Sequence, residues 1–155
     1  MLSPEETQAI DHEVAIVPER RSACLEALQI VQRSRGGWVD DEALADVAQY
    51  LDMSTAELDG VATFYNLIHR KQVGRHVVHL CSSVSCWLMG YPKVRATIRK
   101  RLGIDFGETT ADDRYTLLPI QCLGTCDHAP ALMVDEDLHR DVDAGAVDAI
   151  LERYE

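Results

Sequence analysis

The chain has no apolar run long enough to span a bilayer, and its first residues, Met1-Leu-Ser-Pro-Glu-Glu, carry the wrong charge for an export or import signal. Cytoplasmic residence is therefore expected, with tethering to membrane partners still open. It also lacks a basic half. Against 15 Lys and Arg stand 26 Asp and Glu, a formal charge of -11. The acid is shared, with 7 basic and 13 acidic side chains in residues 1–75 and 8 and 13 in the rest, so a phosphate backbone finds no cationic face. No G-x-G-x-x-G follows a strand-like run and there is no P-loop. Without a recognisable nucleotide or flavin site, the chain does not read as a complete oxidoreductase.

What is present is a soluble composition, 46% hydrophobic and 26% charged, and five cysteines. Four fall in two tight pairs, Cys81-Ser-Ser-Val-Ser-Cys86 and Cys122-Leu-Gly-Thr-Cys126, separated by 35 residues. Each pair follows an apolar run that reads as a strand, an arrangement that presents thiolates from neighbouring loops to one metal centre. A disulfide framework is disfavoured, because 155 residues suffice for an ordinary core and no secretory segment is visible. A thioredoxin-type redox pair needs C-x-x-C, which neither loop has. Structural zinc is the serious rival, since four thiolates suit it. Spacing leans toward iron-sulfur because zinc ribbons more often use two-residue gaps, yet it leaves zinc open.

The loop residues tilt the choice further toward a 2Fe-2S site. A ferric pair with four thiolates is anionic overall, so backbone N–H donors must approach the sulfurs and water must be kept back. Ser82, Ser83, Ser85, Gly124 and Thr125 are small enough to allow that approach, although turns favour Ser and Gly anyway. Cys86 is expected to open a helix, where the dipole would stabilise a thiolate.

At these residues the chain resembles the thioredoxin-like 2Fe-2S subunit, the 24 kDa type, of bacterial NADH:quinone oxidoreductase, respiratory complex I. The likeness continues through Asp127-His-Ala-Pro130, Gly60-Val-Ala-Thr-Phe-Tyr65, Gly74-Arg-His, Thr116-Leu-Leu-Pro119 and Leu151-Glu-Arg-Tyr154, and so covers nearly the whole sequence. The resemblance implies that Cys81, Cys86, Cys122 and Cys126 ligate one 2Fe-2S cluster, with Gly124 and the adjoining loop amides supporting the sulfurs. It implies a neighbouring subunit that carries FMN and binds NADH, other iron-sulfur subunits of a peripheral arm, and a place at the inner face of the cell membrane through that complex. It further implies that the cluster exchanges one electron with FMN on a side branch of the main electron path. Within the same class, an NAD-dependent formate dehydrogenase or hydrogenase subunit is the alternative; from another class, a zinc-stapled interaction adapter.

The fold class expected is α+β, a helical bundle over 1–74 followed by a thioredoxin-like α/β domain over 75–155. Ser3, Pro4 and Glu6 start a short polar helix. A second, from about 19 to 33, lines Cys24, Ala27, Leu28 and Val31 on one face and ends at Gly36 and Gly37, which makes Cys24 a small core residue. Asp40 caps a third with Leu44, Val47, Ala48 and Leu51 buried, and Ser54 with Glu57 caps a fourth. In the family this bundle contacts the flavin-bearing subunit, and Phe64 and Tyr65 are expected either to lock bundle to second domain or to fill core.

After Gly74 the pattern becomes β-rich. Residues 76–80 form a strand ending at the first cysteine, 86–102 a helical region broken near Gly90 and Pro92, and 115–120 a second strand. Strand, helical crossover, strand implies parallel neighbours, so both cysteine loops emerge at one end of the sheet. A hairpin across Asp135-Glu-Asp137 and a closing helix from Val142 or Asp143 to Tyr154 complete the order. Lys93, Arg95, Arg99, Lys100 and Arg101 read as a solvated helix face rather than a docking patch. Pro130 falls where this fold often places a cis-proline. His79 reads as a packing residue, His128 as a group that tunes the cluster from outside the ligand set, and His12, His69, His76 and His139 show no metal spacing.

Overall fold

Side-chain caps decide where the helices of the first half begin. In a computed structural model that describes residues 1–154, α1 (Pro4–Ala15) starts at Ser3, whose hydroxyl accepts from Glu6 N–H while the Glu6 carboxylate accepts from Ser3 N–H. The same reciprocal pair, Ser54 with Glu57, opens α4 (Thr55–Phe64). Asp40 accepts from Ala43 N–H at 2.7 Å to begin α3 (Asp41–Tyr50). The helix expected from about 19 is instead a 3-10 turn, Arg20–Ala23, leading into α2 (Cys24–Ser34). Helix α1 is not short; its 12 residues bury Ile10 and Glu6.

These helices belong to the first of two compact units, Met1–Gln72 and Val73–Glu155. Ile10, Ala27, Leu28, Val31, Val39, Val47 and Leu58 are fully buried in its core, and Cys24 packs against that core half-buried. An ion network is buried beside it. Arg35 donates to both Glu6 oxygens at 2.9 Å and to Asp46 at 3.2 Å, and Ser34 donates to Glu6 at 2.5 Å. The Arg35 hydrogen bond pulls the Glu6 carboxyl down to about 2 against the opposing cost of burial. Phe64 and Tyr65 do not fill this core: they are 77% and 44% exposed and meet edge to face.

The second unit is built on a mixed four-stranded sheet in the order β2-β1-β3-β4. Strand β1 (His76–Cys81) pairs in parallel with β2 (Tyr115–Ile120), setting Cys81 opposite Ile120. The crossover between them is α5 (Val84–Leu88) and α6 (Tyr91–Leu102), parted at Gly90 with φ +120. Strand β3 (Leu132–Val134) pairs antiparallel with β1, and β4 (Asp137–His139) pairs antiparallel with β3. The closing helix starts later than the sequence pattern suggests. It is α7 (Val147–Leu151) with a 3-10 extension to Tyr154, because residues 141–146 form turns in which Asp141 takes φ +50 and Asp143 caps Ala146 N–H.

Val78, Leu80, Ile98, Leu117, Leu132, Val134 and Val147 fill the core of this unit. At the entry to β1, Gly74 N–H donates to the buried Thr116 hydroxyl at 2.6 Å, and a Cβ on Gly74 would stand 3.0 Å from the backbone of Asp113 and Arg114. Only glycine lets the two strands begin this close together. Tyr154 OH donates to Asp137 and accepts from His139 Nε2, both at 2.9 Å, which pins the chain end to β4. On α6, Arg95 and Arg99 pair with Asp105 and Arg101 with Asp148, so three of the five expected surface cations have acidic partners within the unit.

Candidate metal centre

Parallel pairing of β1 and β2 carries the chain out of both strands at the same end of the sheet. Cys81 is the last residue of β1, and Cys122 follows the end of β2 by two residues. Between the strands, the return into α5 brings Cys86 back to Cys81, within hydrogen-bonding reach of its thiol. After β2, a turn through Gly124 at φ +74 and a 3-10 turn, Cys126–His128, bring the second pair together, with the Cys122 and Cys126 sulfurs 3.6 Å apart. All four thiols are free.

The pairs differ in their surroundings. Cys81 and Cys86 are 2% and 1% exposed and pack with Ile120 and Ala129 in a small apolar cluster. Cys122 and Cys126 stand in solvent. Burial, followed by its hydrogen bond with Cys81, pushes the Cys86 thiol up to about 11. Cys122 shifts down, chiefly because Gly124 N–H donates to its sulfur at 3.3 Å, and Cys126 shifts up because its neighbour Cys122 takes the charge first. The helix-dipole expectation at Cys86 does not hold. Cys86 is the third residue of a five-residue helix, too short to offset the burial of its sulfur.

Four thiols in two close pairs fit a two-iron group. Two sulfurs sharing one tetrahedral metal at about 2.3 Å lie about 3.8 Å apart, close to the separation of Cys122 and Cys126. A single zinc would need all four sulfurs around one point. The two pairs stand close enough that charge at Cys126 bears on Cys86 and charge at Cys81 bears on Cys126, an arrangement that would suit a group of two irons.

Several contacts at this end escaped the sequence reading. Ser85 hydrogen-bonds Cys126, Ala131 N–H donates to Cys86, and the Gln121 carbonyl faces Cys81 at 3.8 Å. None has a motif, since each is made across the loops. The peptide before Pro130 is cis. His128, half exposed, sits between Asp141 at 2.9 Å and Asp127 at 3.6 Å, and His79 is buried on β1.

Comparison with known proteins gives three findings. A family model described as thioredoxin-like [2Fe-2S] ferredoxin matches residues 10–155. The E subunit of the NADH-quinone oxidoreductase of Pseudomonas aeruginosa is 47% identical over 154 residues, 99% of this chain and 92% of that protein; its counterpart from Escherichia coli is 46% identical over 153 residues, with the same shares. Among solved structures, an NAD+-reducing [NiFe]-hydrogenase superposes with a TM-score of 0.67 at 24% identity, covering 82% of this chain and 22% of the hydrogenase chain, a likeness of fold.

Proposed function

Because the chain belongs to the thioredoxin-like [2Fe-2S] ferredoxin family, we propose that it is the electron-transfer subunit of a proton-translocating NADH:quinone oxidoreductase, with Cys81, Cys86, Cys122 and Cys126 as the ligands of its cluster. The observation that carries this reading is the meeting of two thiol pairs where parallel β1 and β2 end. Identity over nearly the full length of both respiratory relatives, and of this chain, supports the respiratory assignment. The hydrogenase likeness, at 24%, supports only a shared fold.

A bound 2Fe-2S cluster supplies one-electron exchange, and burial and N–H to sulfur bonds set the potential at which it occurs. The residues of this chain do the rest. Cys81 and Cys86 hold their sulfurs in a dry apolar pocket that excludes water from one side. Gly124, at a backbone angle that L side chains rarely adopt, directs its N–H at Cys122 and favours the thiolate there. Cys122 and Cys126 leave the opposite side open, so electrons enter and leave through that face. FMN and NADH belong to the neighbouring subunit, as does hydride chemistry. Among the described residues no helix is long and apolar enough to cross a membrane; the place at the inner membrane face belongs to this reading, through partner subunits of the complex.

Anaerobically purified protein is expected to be red-brown, with about two irons and two sulfides per chain and an electron paramagnetic resonance signal only after reduction. Cys122→Ala should abolish all three. Unchanged iron and sulfide in that variant would remove Cys122 from the ligand set, and a colourless, zinc-loaded wild type would favour the interaction adapter.

A further inference from the structure

One edge of the sheet is left with open backbone. Strand β4 lies at that edge, with β3 on its inner side. The turn between the two strands is two residues long, Asp135 and Glu136, and such a turn is closed by a hydrogen-bonded pair, here Val134 and Asp137. Antiparallel pairs alternate between bonded and unbonded, which turns the N–H and C=O of Leu138 outward, away from β3. Among the described residues no backbone group takes up either of them.

Beside this edge runs a groove of about 470 Å³ between β4 and α7, with Val142, Ala146 and Ile150 as its apolar floor and Leu138, 37% exposed, at its lip. Arg140 and Arg153 also line it, and among the described residues neither has an acidic partner. The nearby acids are taken: Asp137 accepts from Tyr154 OH, Asp135 pairs with His76, Asp141 with His128 and Asp148 with Arg101. His139, on the same groove, is shifted down by burial and then by the charge of Arg153, so Asp137 does not cancel the positive field there.

Resting on the function proposed above, we infer that the β4 edge and its groove seat an extended acidic segment of a neighbouring subunit of the complex, which adds a short fifth strand to the sheet and sets its carboxylates against Arg140 and Arg153. Charge selects this occupant. Acid brought to two unpaired arginines gains attraction without breaking an existing pair. A second copy of the chain fits less well, because Asp135 and Asp137 are engaged and each copy would offer Glu136 alone against two arginines. Three residues of strand give few backbone bonds, which guards the edge against chance partners and leaves selectivity to the floor and the arginines.

The test compares the full-length, cluster-loaded chain free and assembled, and measures its reassociation with complex purified from cells that lack it. Backbone amides of residues 137–140 are expected to exchange at least tenfold more slowly in the assembled complex than in the free chain. Leu138→Pro removes the outward N–H, a change that an edge strand tolerates, and should raise Kd about tenfold with the visible spectrum of wild type. Leu138→Ala keeps that N–H and should raise Kd less. Arg140→Gln combined with Arg153→Gln should raise Kd about tenfold at low salt and flatten its dependence on ionic strength. Wild-type affinity in both Leu138→Pro and the double arginine variant, or unprotected 137–140 amides in the wild-type complex, would overturn the inference. So would protection of those amides in the free chain that appears only as it dimerises. A colourless wild-type protein would instead sink the function on which the inference rests, whereas a coloured, assembled chain with an open β4 edge would sink the inference alone.

Discussion

Each unit of the molecule holds a cluster of strongly shifted titratable groups, and these two have been pushed in opposite directions. In the helical unit, Glu6 falls to about 2 because Arg35 is already beside it; in the sheet unit, Cys86 rises to about 11 because burial has no cation to answer it. The first network is electrostatically closed within the chain. The second is complete only when something positive joins the thiols, which is the physical meaning of a metal site before its metal.

The largest expected effect exploits that difference. Chelating the metal from native protein should destabilise the sheet unit by at least about 5 kcal/mol, since metal binding to a folded site adds to folding free energy. Amides of α1 to α4 should keep their hydrogen-exchange protection, while those of residues 80–88 and 120–131 lose it. Equal loss in both units would erase the contrast.

Next comes the closed network itself. Arg35→Met leaves Glu6 buried against Ser34 with no guanidinium, and should cost about 3–5 kcal/mol in denaturant unfolding of the helical unit. The cluster spectrum should not change. If Arg35→Met and Glu6→Gln each cost what the double variant costs, the two residues act as a pair.

Acid should reproduce part of this. With its folded carboxyl at about 2 and the ordinary value at 4.5, Glu6 stabilises fully above about 4.5, and that contribution is lost as the pH falls through about 2. It amounts to roughly 3 kcal/mol, and a Glu6→Gln variant should show a correspondingly flatter stability profile between those values.

The smallest effect lies at the sulfurs. Gly124→Ala strains a backbone held at φ +74 and weakens the N–H to Cys122, a bond of about 1 kcal/mol. The reduction potential should fall by about 40 mV, since a one-electron couple shifts 59 mV per tenfold change. An unchanged potential would mean that the loop amide contributes nothing to the centre.

Much of this was legible because it is local. Ser3 with Glu6, Ser54 with Glu57, and Asp40 announce their helix starts within four residues, and the observed caps lie at those positions. Strand, crossover, strand read correctly for β1 and β2, because alternation and apolar runs are likewise short-range. The starts of α2 and α7 were misjudged locally, where a 3-10 turn and the turns of 141–146 stand, and the other failures were non-local. Nothing in the residues around Arg35 says that it reaches Glu6, 29 positions away, and Tyr154 gives no hint that it bridges Asp137 and His139. Phe64 and Tyr65 look like core by composition and stand in solvent. Val84, Trp87, Leu88 and Met89, on α5 and at its end, stand in solvent too, and they did leave a trace: these four apolar residues lie too close together on a helix for all of them to face one core.

The amino-acid order by itself determined the donor set, four thiols in two short loops, because ligand chemistry and loop length are properties of a few neighbouring residues. Only tertiary structure decided that one pair would be dry and the other open, and that α5 would stand uncovered beside the open pair. Burial is the sum of what every distant segment brings to a point, and no stretch of chain carries that sum within itself.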